Sequence, residues 1–323
     1  MSHVMPGDTL GRAWIEVSGA NPVLVNDYRQ SLVSFLAFDR DHVATFAGTG
    51  FVMCGDHEKA IVITARHVLD YVWQLQRSDS ISHSPSLAPK DFKVLWMGSD
   101  NAALMNVAHV SFNHSSDVAV CIITPQESIA PPFAPKSIPL HPIVPVVGQV
   151  VHMVSVGNLV AEETSPPEER DGKGLCLKIL RSISIRVGTV TGSHPNGHRQ
   201  YDWPCFTTSI PAEPGMSGGF VFVPEDGVTV AACGVVSADS FSGNARTDQM
   251  QCGNSIIACS WPAFGLTVPE LIGGSEDGIS QSLLELARNG NVPGPLGGIG
   301  HLSIADGVMT FSMENRSGNE IEI

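Results

Sequence analysis

The sequence has few basic residues. There are 18 Lys and Arg against 32 Asp and Glu, for a formal net charge of −14, and no Lys/Arg cluster interrupts that balance. Such a chain repels phosphate backbones and anionic lipid surfaces, so neither nucleic acid nor a membrane is expected as a partner. No run of eighteen apolar residues is present, and no transmembrane helix is expected. The first residues, MSHVMPGDTLGRAW, lack a basic segment followed by an apolar one, so no secretory signal is expected. Sustained heptads are missing, which argues against a helix bundle, and no fixed-period repeat suggests a solenoid. The seven cysteines, at 54, 121, 176, 205, 233, 252 and 259, include no CxxC pair. Several lie in apolar runs such as VAVCIIT and VAACGVV and read as buried free thiols, so a reducing, cytoplasmic setting is expected. His194 and His198 in SHPNGH could begin a metal site, but no third ligand accompanies them. Neither a metal nor another cofactor is expected.

What the chain does contain is apolar matter in short pieces. Hydrophobic residues make up 43 % of the sequence and charged residues 15 %, with 32 glycines and 22 prolines among them. That composition suits many short strands joined by tight turns. Residues 1–30 are mixed and form an N-terminal extension. SLVSFLAFD, ATFAGTGFVMC, AIVITA, FKVLWMG, NVAHVSFN and DVAVCIIT read as strands of a first unit over 31–124, with short helical character in HVLDYVWQL. The proline-rich stretch 125–142 reads as an extended linker over the surface. A second strand set fills 143–270: VGQVVHMVSVG as a strand pair, LCLKILRSISIRVGTVTGS as one or two strands, then PCFTTSI, GFVFVPEDGVTVAACGVVSAD and NSIIACS. The acidic stretch 161–174 reads as an exposed loop. Residues 271–323 form an extension, with a helix in SQSLLELARNG stopped at Gly290 and a hairpin turning at Asp306-Gly307.

Three local patterns carry chemistry. ITARHVL sets His67 directly after a buried strand. SSDVAVCII sets Asp117 at the mouth of another. EPGMSGGFVF sets Ser217 in a glycine-rich turn before a third. A serine hydroxyl is a weak nucleophile at neutral pH and needs an adjacent base, which histidine supplies. A buried carboxylate fixes the imidazole tautomer and stabilises the imidazolium. The turn aims the amides of Gly215 and Ser217 at one point, an oxyanion hole worth about 3–4 kcal/mol per donor. Pro214 has no N–H and adds only rigidity.

The blocks GTGFV, TARHV, SSDVAV and PGMSGG, from about Gly48 to Ser237, resemble the series found in the trypsin-like (chymotrypsin-fold) serine peptidases. The order His, Asp, Ser is that family's order. The resemblance implies an all-β chain of two packed six-stranded antiparallel β-barrels, here followed by the short C-terminal helix and hairpin. It implies a serine endopeptidase acting on a protein or peptide, with His67, Asp117 and Ser217 as triad. GVVSAD matches the family's strand after the nucleophile turn, which puts Ser237 near the triad aspartate and Ala238 and Asp239 along the substrate groove. Pro211 and Ala212 would stand at the base of the primary specificity pocket, where trypsin carries an aspartate, so a small or apolar residue is expected there. The family's disulfide cysteines beside His and Ser are missing, as in bacterial and viral members. Met216 replaces the acidic residue that pairs with a newly cut N-terminus in secreted trypsins. That switch cannot operate, and a second reading is a peptidase activated by a protein partner or ligand. A third is a non-catalytic scaffold that keeps the fold and binds peptides.

Overall fold

A computed structural model describes residues 14–18, 22–38, 44–76, 92–98, 102–126, 133–163, 177–224, 230–239, 255–269, 280–292, 302–305, 308–314 and 320–322. Cys176, Cys252, His301 and the turn residues Asp306 and Gly307 lie outside them. So do the stretches 77–90 and 164–174.

The first barrel closes from six strands: β2 (Leu32–Phe38), β3 (Ala44–Gly55), β4 (Ala60–Ala65), β5 (Phe92–Met97), β6 (Ala102–Phe112) and β7 (Val118–Pro125). Their order is β2-β3-β4-β7-β6-β5, closed by β5 on β2 with Phe35 opposite Val94. Strand β4, AIVITA, is buried at every position. It lies between β3 and β7. Its unbroken apolar run therefore reflects burial on both faces. Register shifts at Phe35/Leu36, Val52/Cys54 and Val107/His109 mark where strands curl to close the barrel. The helical character after β4 is helix α2 (Arg66–Gln76).

The second barrel holds β8 (Val150–Glu163), β9 (Leu177–His194), β10 (Cys205–Thr208), β11 (Phe220–Phe222), β12 (Gly234–Asp239) and β13 (Ser255–Cys259). Its order is β8-β9-β10-β13-β12-β11, closed by β11 on β8. The expected strand pair near 150 is instead one 14-residue strand, and β9 is a single strand of 18 residues. The two pair from Val150↔Thr189 to Glu163↔Leu177, with one register shift between Val156 and Asn158. Residues 161–163 are thus strand rather than loop, because their backbone finds a partner in β9.

Residues 14–30 are also structured. Strand β1 (Ile15–Glu16) pairs with β9, and helix α1 (Pro22–Arg29) brings buried Tyr28 edge-on to Phe220 at 5.6 Å. The described part of the linker does more than cross the surface. Phe133, Ile138 and Leu140 are buried, and Phe133 meets Trp96 edge-on at 5.0 Å. Ile138 N donates to Val52 O of the first barrel, and Ala232 N of the second donates to Pro139 O, both at 2.8 Å. The segment seals both barrels by burying alternate apolar side chains.

At the C-terminal side, helix α3 (Leu283–Arg288) starts at a capping box. Glu285 N donates to Ser282 Oγ, and Ser282 N donates to Glu285 Oε2. Gly290 follows with φ +73°, the left-handed stop its position in the sequence suggests. Strands β14 (Leu302–Ala305) and β15 (Val308–Glu314) form a hairpin. No helix among the described residues is long and apolar enough to cross a membrane. Cys54, Cys121, Cys205, Cys233 and Cys259 are all free and buried. Burial pushes the Cys54, Cys205 and Cys233 thiols up to about 12, so they stay protonated and inert.

Candidate active site

His67 lies in the first turn of α2, immediately after β4 runs out at Ala65. Asp117 precedes β7, the strand paired with β4. Register alone brings the two side by side, since Ala65 is opposite Val118. The backbone then locks them. Arg66 N donates to Asp117 O and His67 N to Asp117 Oδ1, each at 3.0 Å.

The ring completes the pair, with His67 Nδ1 2.7 Å from Asp117 Oδ2. An ionised carboxylate only accepts, so the shared proton belongs to Nδ1 and neutral His67 carries its lone pair on Nε2. The Asp117 carboxylate also accepts from Ser237 Oγ. Asp117 and Ser237 are buried, whereas the His67 side chain keeps 43 % of its surface exposed. Burial acts to lower the His67 pKa, but the Asp117 charge and hydrogen bond, with help from Asp70, outweigh it. The imidazole is held above its ordinary value.

Ser217 comes from the second barrel, on the turn that enters β11. Met216 N donates to Glu213 O at 3.0 Å, closing a turn with Pro214 second and Gly215 third. Gly215 has φ +91°, which a type II turn demands at that place. Gly218 has φ +86°, and a Cβ there would stand 1.9 Å from Thr49 O. Only glycine lets the two barrels approach this closely.

One first-barrel residue, Thr49, clamps the turn. Its N–H donates to Ser217 O at 2.8 Å and its hydroxyl to Gly215 O at 2.8 Å. The same hydroxyl accepts from Val156 N at 3.1 Å, and Thr49 O accepts from Thr64 Oγ1 at 2.7 Å. The amides of Gly218 and Gly219 are spent on Val236 O and Met216 O. The amides of Gly215 and Ser217 make no hydrogen bond among the described residues. The Ser217 hydroxyl donates to Ser237 O at 3.2 Å and makes no hydrogen bond to His67.

His67, Asp117, Ser217, Gly215 and Ser237 therefore meet at one junction. Pro211 and Ala212 lie half-buried on the approach to the turn, with Pro211 O accepting from Arg186 Nη1 at 2.9 Å. Ala238 and Asp239 continue β12, paired by backbone with Ile256 and Ser255; their side chains lie outside what the structure describes. The rings of His194 and His198 stack at 4.0 Å, and no metal-holding cluster occurs among the described residues. Sequence patterns alone do not single out Thr49, which sits among the glycines of GTGFV and whose partners lie far along the chain. Arg186 had a signal, as a lone cation in the apolar run SISIRVG.

No protein of curated function is significantly similar in sequence to this chain. Among solved structures, the inactive form of a serine-to-alanine mutant of Rv3671c from M. tuberculosis H37Rv is 16 % identical, with a TM-score of 0.38 over 75 % of this chain and 87 % of that one. The HtrA-type protease AlgW with a decapeptide is 14 % identical, with a TM-score of 0.41 over 77 % of this chain and 66 % of its own. The trypsin-like peptidase domain family matches residues 48–231, more than half of the chain and the whole span from Gly48 through His67, Asp117 and Ser217. With two closed antiparallel barrels around that span, the chain belongs to the trypsin-like peptidase family.

Proposed function

We propose that the protein is a serine endopeptidase with His67, Asp117 and Ser217 as its triad. The observation that carries the reading is the 2.7 Å contact of His67 Nδ1 with buried Asp117, across from a serine turn whose carbonyls are clamped and whose Gly215 and Ser217 amides are unspent. A rotation about the Ser217 Cα–Cβ bond moves its hydroxyl from Ser237 O toward Nε2. Ser217 Oγ then attacks the peptide carbonyl while His67 Nε2 takes its proton. The carbonyl oxygen becomes an oxyanion that accepts from Gly215 N and Ser217 N. His67 returns the proton to the leaving amine, and an ester on Ser217 remains. Water attacks that ester, His67 takes its proton and gives it back to Ser217, and the acid product leaves.

Strand β11 pairs with β12 only at Val235 and Gly234, so among the described residues the β12 backbone beyond Val236 has no strand partner on that side. An extended peptide would add there as a strand, alongside Ala238 and Asp239. Activity is conditional in this reading. Met216 is buried and apolar where secreted trypsins carry their switch carboxylate, and the Ser217 hydroxyl rests on Ser237 O rather than His67. A protein partner or ligand would complete the site. The buried free thiols fit a reducing compartment such as the cytoplasm.

The test is fluorophosphonate labelling of the protein, read by intact mass beside Ser217→Ala, with and without candidate partners. One adduct on wild type, forming slowly alone and faster when a partner is added, and none on the variant is expected. Peptide binding with no adduct, even with candidate partners present, would replace this reading with that of a non-catalytic peptide-binding scaffold.

A further inference from the structure

Arg186 is a buried cation on β9 with two carboxylates around it. Its side chain is 8 % exposed. Nε donates to Glu16 Oε2 at 2.8 Å, Nη1 to Pro211 O at 2.9 Å, and Nη2 meets Glu213 Oε1 at 2.8 Å. The Trp14 ring covers the guanidinium at 5.0 Å. Each nitrogen of the guanidinium thus makes one contact, and together they join two places far apart in sequence.

One end is strand β1. Glu16 lies opposite Arg186 in register, and Val17 N donates to Ile185 O at 2.8 Å. The Glu16 carboxylate accepts from Ser184 Oγ and Ile185 N, each at 2.9 Å, and from Ser18 Oγ. The other end is the serine turn. Pro211 and Glu213 flank Ala212, and Glu213 is the residue whose carbonyl closes the turn onto Met216. Arg186 therefore holds the incoming limb of that turn at two points, by a backbone carbonyl and by a side chain.

We propose that Arg186 is a positioning residue for the oxyanion turn, and that strand β1 keeps it in place through Glu16 and Trp14. This rests on the peptidase reading above. In secreted trypsins an N-terminal cation reaches the residue before the nucleophile. Here Met216 offers no anion, and the anchoring carboxylate stands three positions earlier, at Glu213. An internal arginine, screened from water by the N-terminal strand, takes over the anchoring. Without β1 the guanidinium opens to solvent, where an ion pair with half-exposed Glu213 contributes little. The limb that carries Gly215 is then free to shift, and the unspent amides lose their common aim.

The test uses the full chain with Glu213→Ala, Glu16→Ala, Arg186→Met and Arg186→Lys. The rate of Ser217 labelling by a fluorophosphonate and the inhibition constant of phenylboronic acid both read the tetrahedral geometry that the turn must bind. Glu213 is 49 % exposed, so its loss leaves folding intact. Labelling of Glu213→Ala is expected to slow about 10- to 100-fold, and the boronate to weaken by a similar factor. The pH midpoint of labelling, set by His67, stays put. Glu16→Ala follows in the same direction, and Arg186→Lys retains more rate than Arg186→Met because a single ammonium can still reach one carboxylate. A labelled wild type with Glu213→Ala equal to it in both readouts overturns the inference and leaves the peptidase reading standing. So does a rate loss that only tracks a loss of folded protein, or one that arrives with a shifted pH midpoint. A wild type that is never labelled overturns both.

Discussion

Replacing Thr49 by valine removes one hydroxyl and almost no volume. That hydroxyl donates to Gly215 O and accepts from Val156 N, in a site where Thr49 is fully buried. Valine satisfies neither group. Each buried polar group left without a partner costs about 1–3 kcal/mol. The two together predict a loss of about 2–6 kcal/mol in unfolding free energy, partly offset where water reaches Gly215 O. At about 2 °C per kcal/mol for a chain of this size, the melting temperature should fall by about 4–12 °C. The Ser217 labelling rate should fall further than the folded fraction does, by about 10-fold, because the Gly215–Met216 peptide is no longer held. Thr49→Ser keeps both hydrogen bonds and loses a methyl group, at about 1 kcal/mol, with labelling near wild type. Calorimetry and timed labelling on the three proteins decide the matter. A Thr49→Val protein within about 0.5 kcal/mol of wild type and labelled at the same rate would refute the clamp.

The raised His67 pKa makes activity and stability move in opposite directions. Protonated His67 cannot take the Ser217 proton, so labelling should climb as pH rises through a midpoint above the ordinary histidine value. The stabilisation from the His67–Asp117 pair is fully present below the unfolded-state pKa and is lost as pH rises through the folded one. Melting temperature should therefore sag across the same window. Asp117→Asn should flatten that sag and cut turnover by about 10⁴-fold, since an amide no longer enforces the Nδ1–H tautomer. Gly218→Ala combines a φ of +86° with a Cβ 1.9 Å from Thr49 O, and should cost more than about 2 kcal/mol and abolish labelling. Ser282→Ala breaks the capping box of α3 and should cost about 1 kcal/mol by chemical denaturation while labelling continues unchanged.

Local features can be read from the chain alone. His67 after AIVITA, Asp117 before VAVCII and Ser217 between glycines are short-range patterns, and the His, Asp, Ser order with alternating strands and turns specified the family and the paired barrels. Gly290 was legible as a stop for the same reason: backbone conformation at a helix end depends on a few neighbours, whereas the Ser282 cap became visible only in the structure. Tertiary structure decided everything that closes over long spans. Whether LKILRSISIRVGTVTGSH makes one strand or two depends on β8 lying alongside it for its whole length, which periodicity within β9 cannot reveal. Residues 15–16 have no strand signal of their own and become a strand because β9 offers a free edge. Thr49 reaches Gly215 across 166 positions, and Glu16 reaches Arg186 across 170. A hydroxyl or a carboxylate has the same chemistry wherever it sits in the chain. Its partner is chosen by the tertiary fold, which brings the two groups together and leaves each no cheaper hydrogen bond than the other.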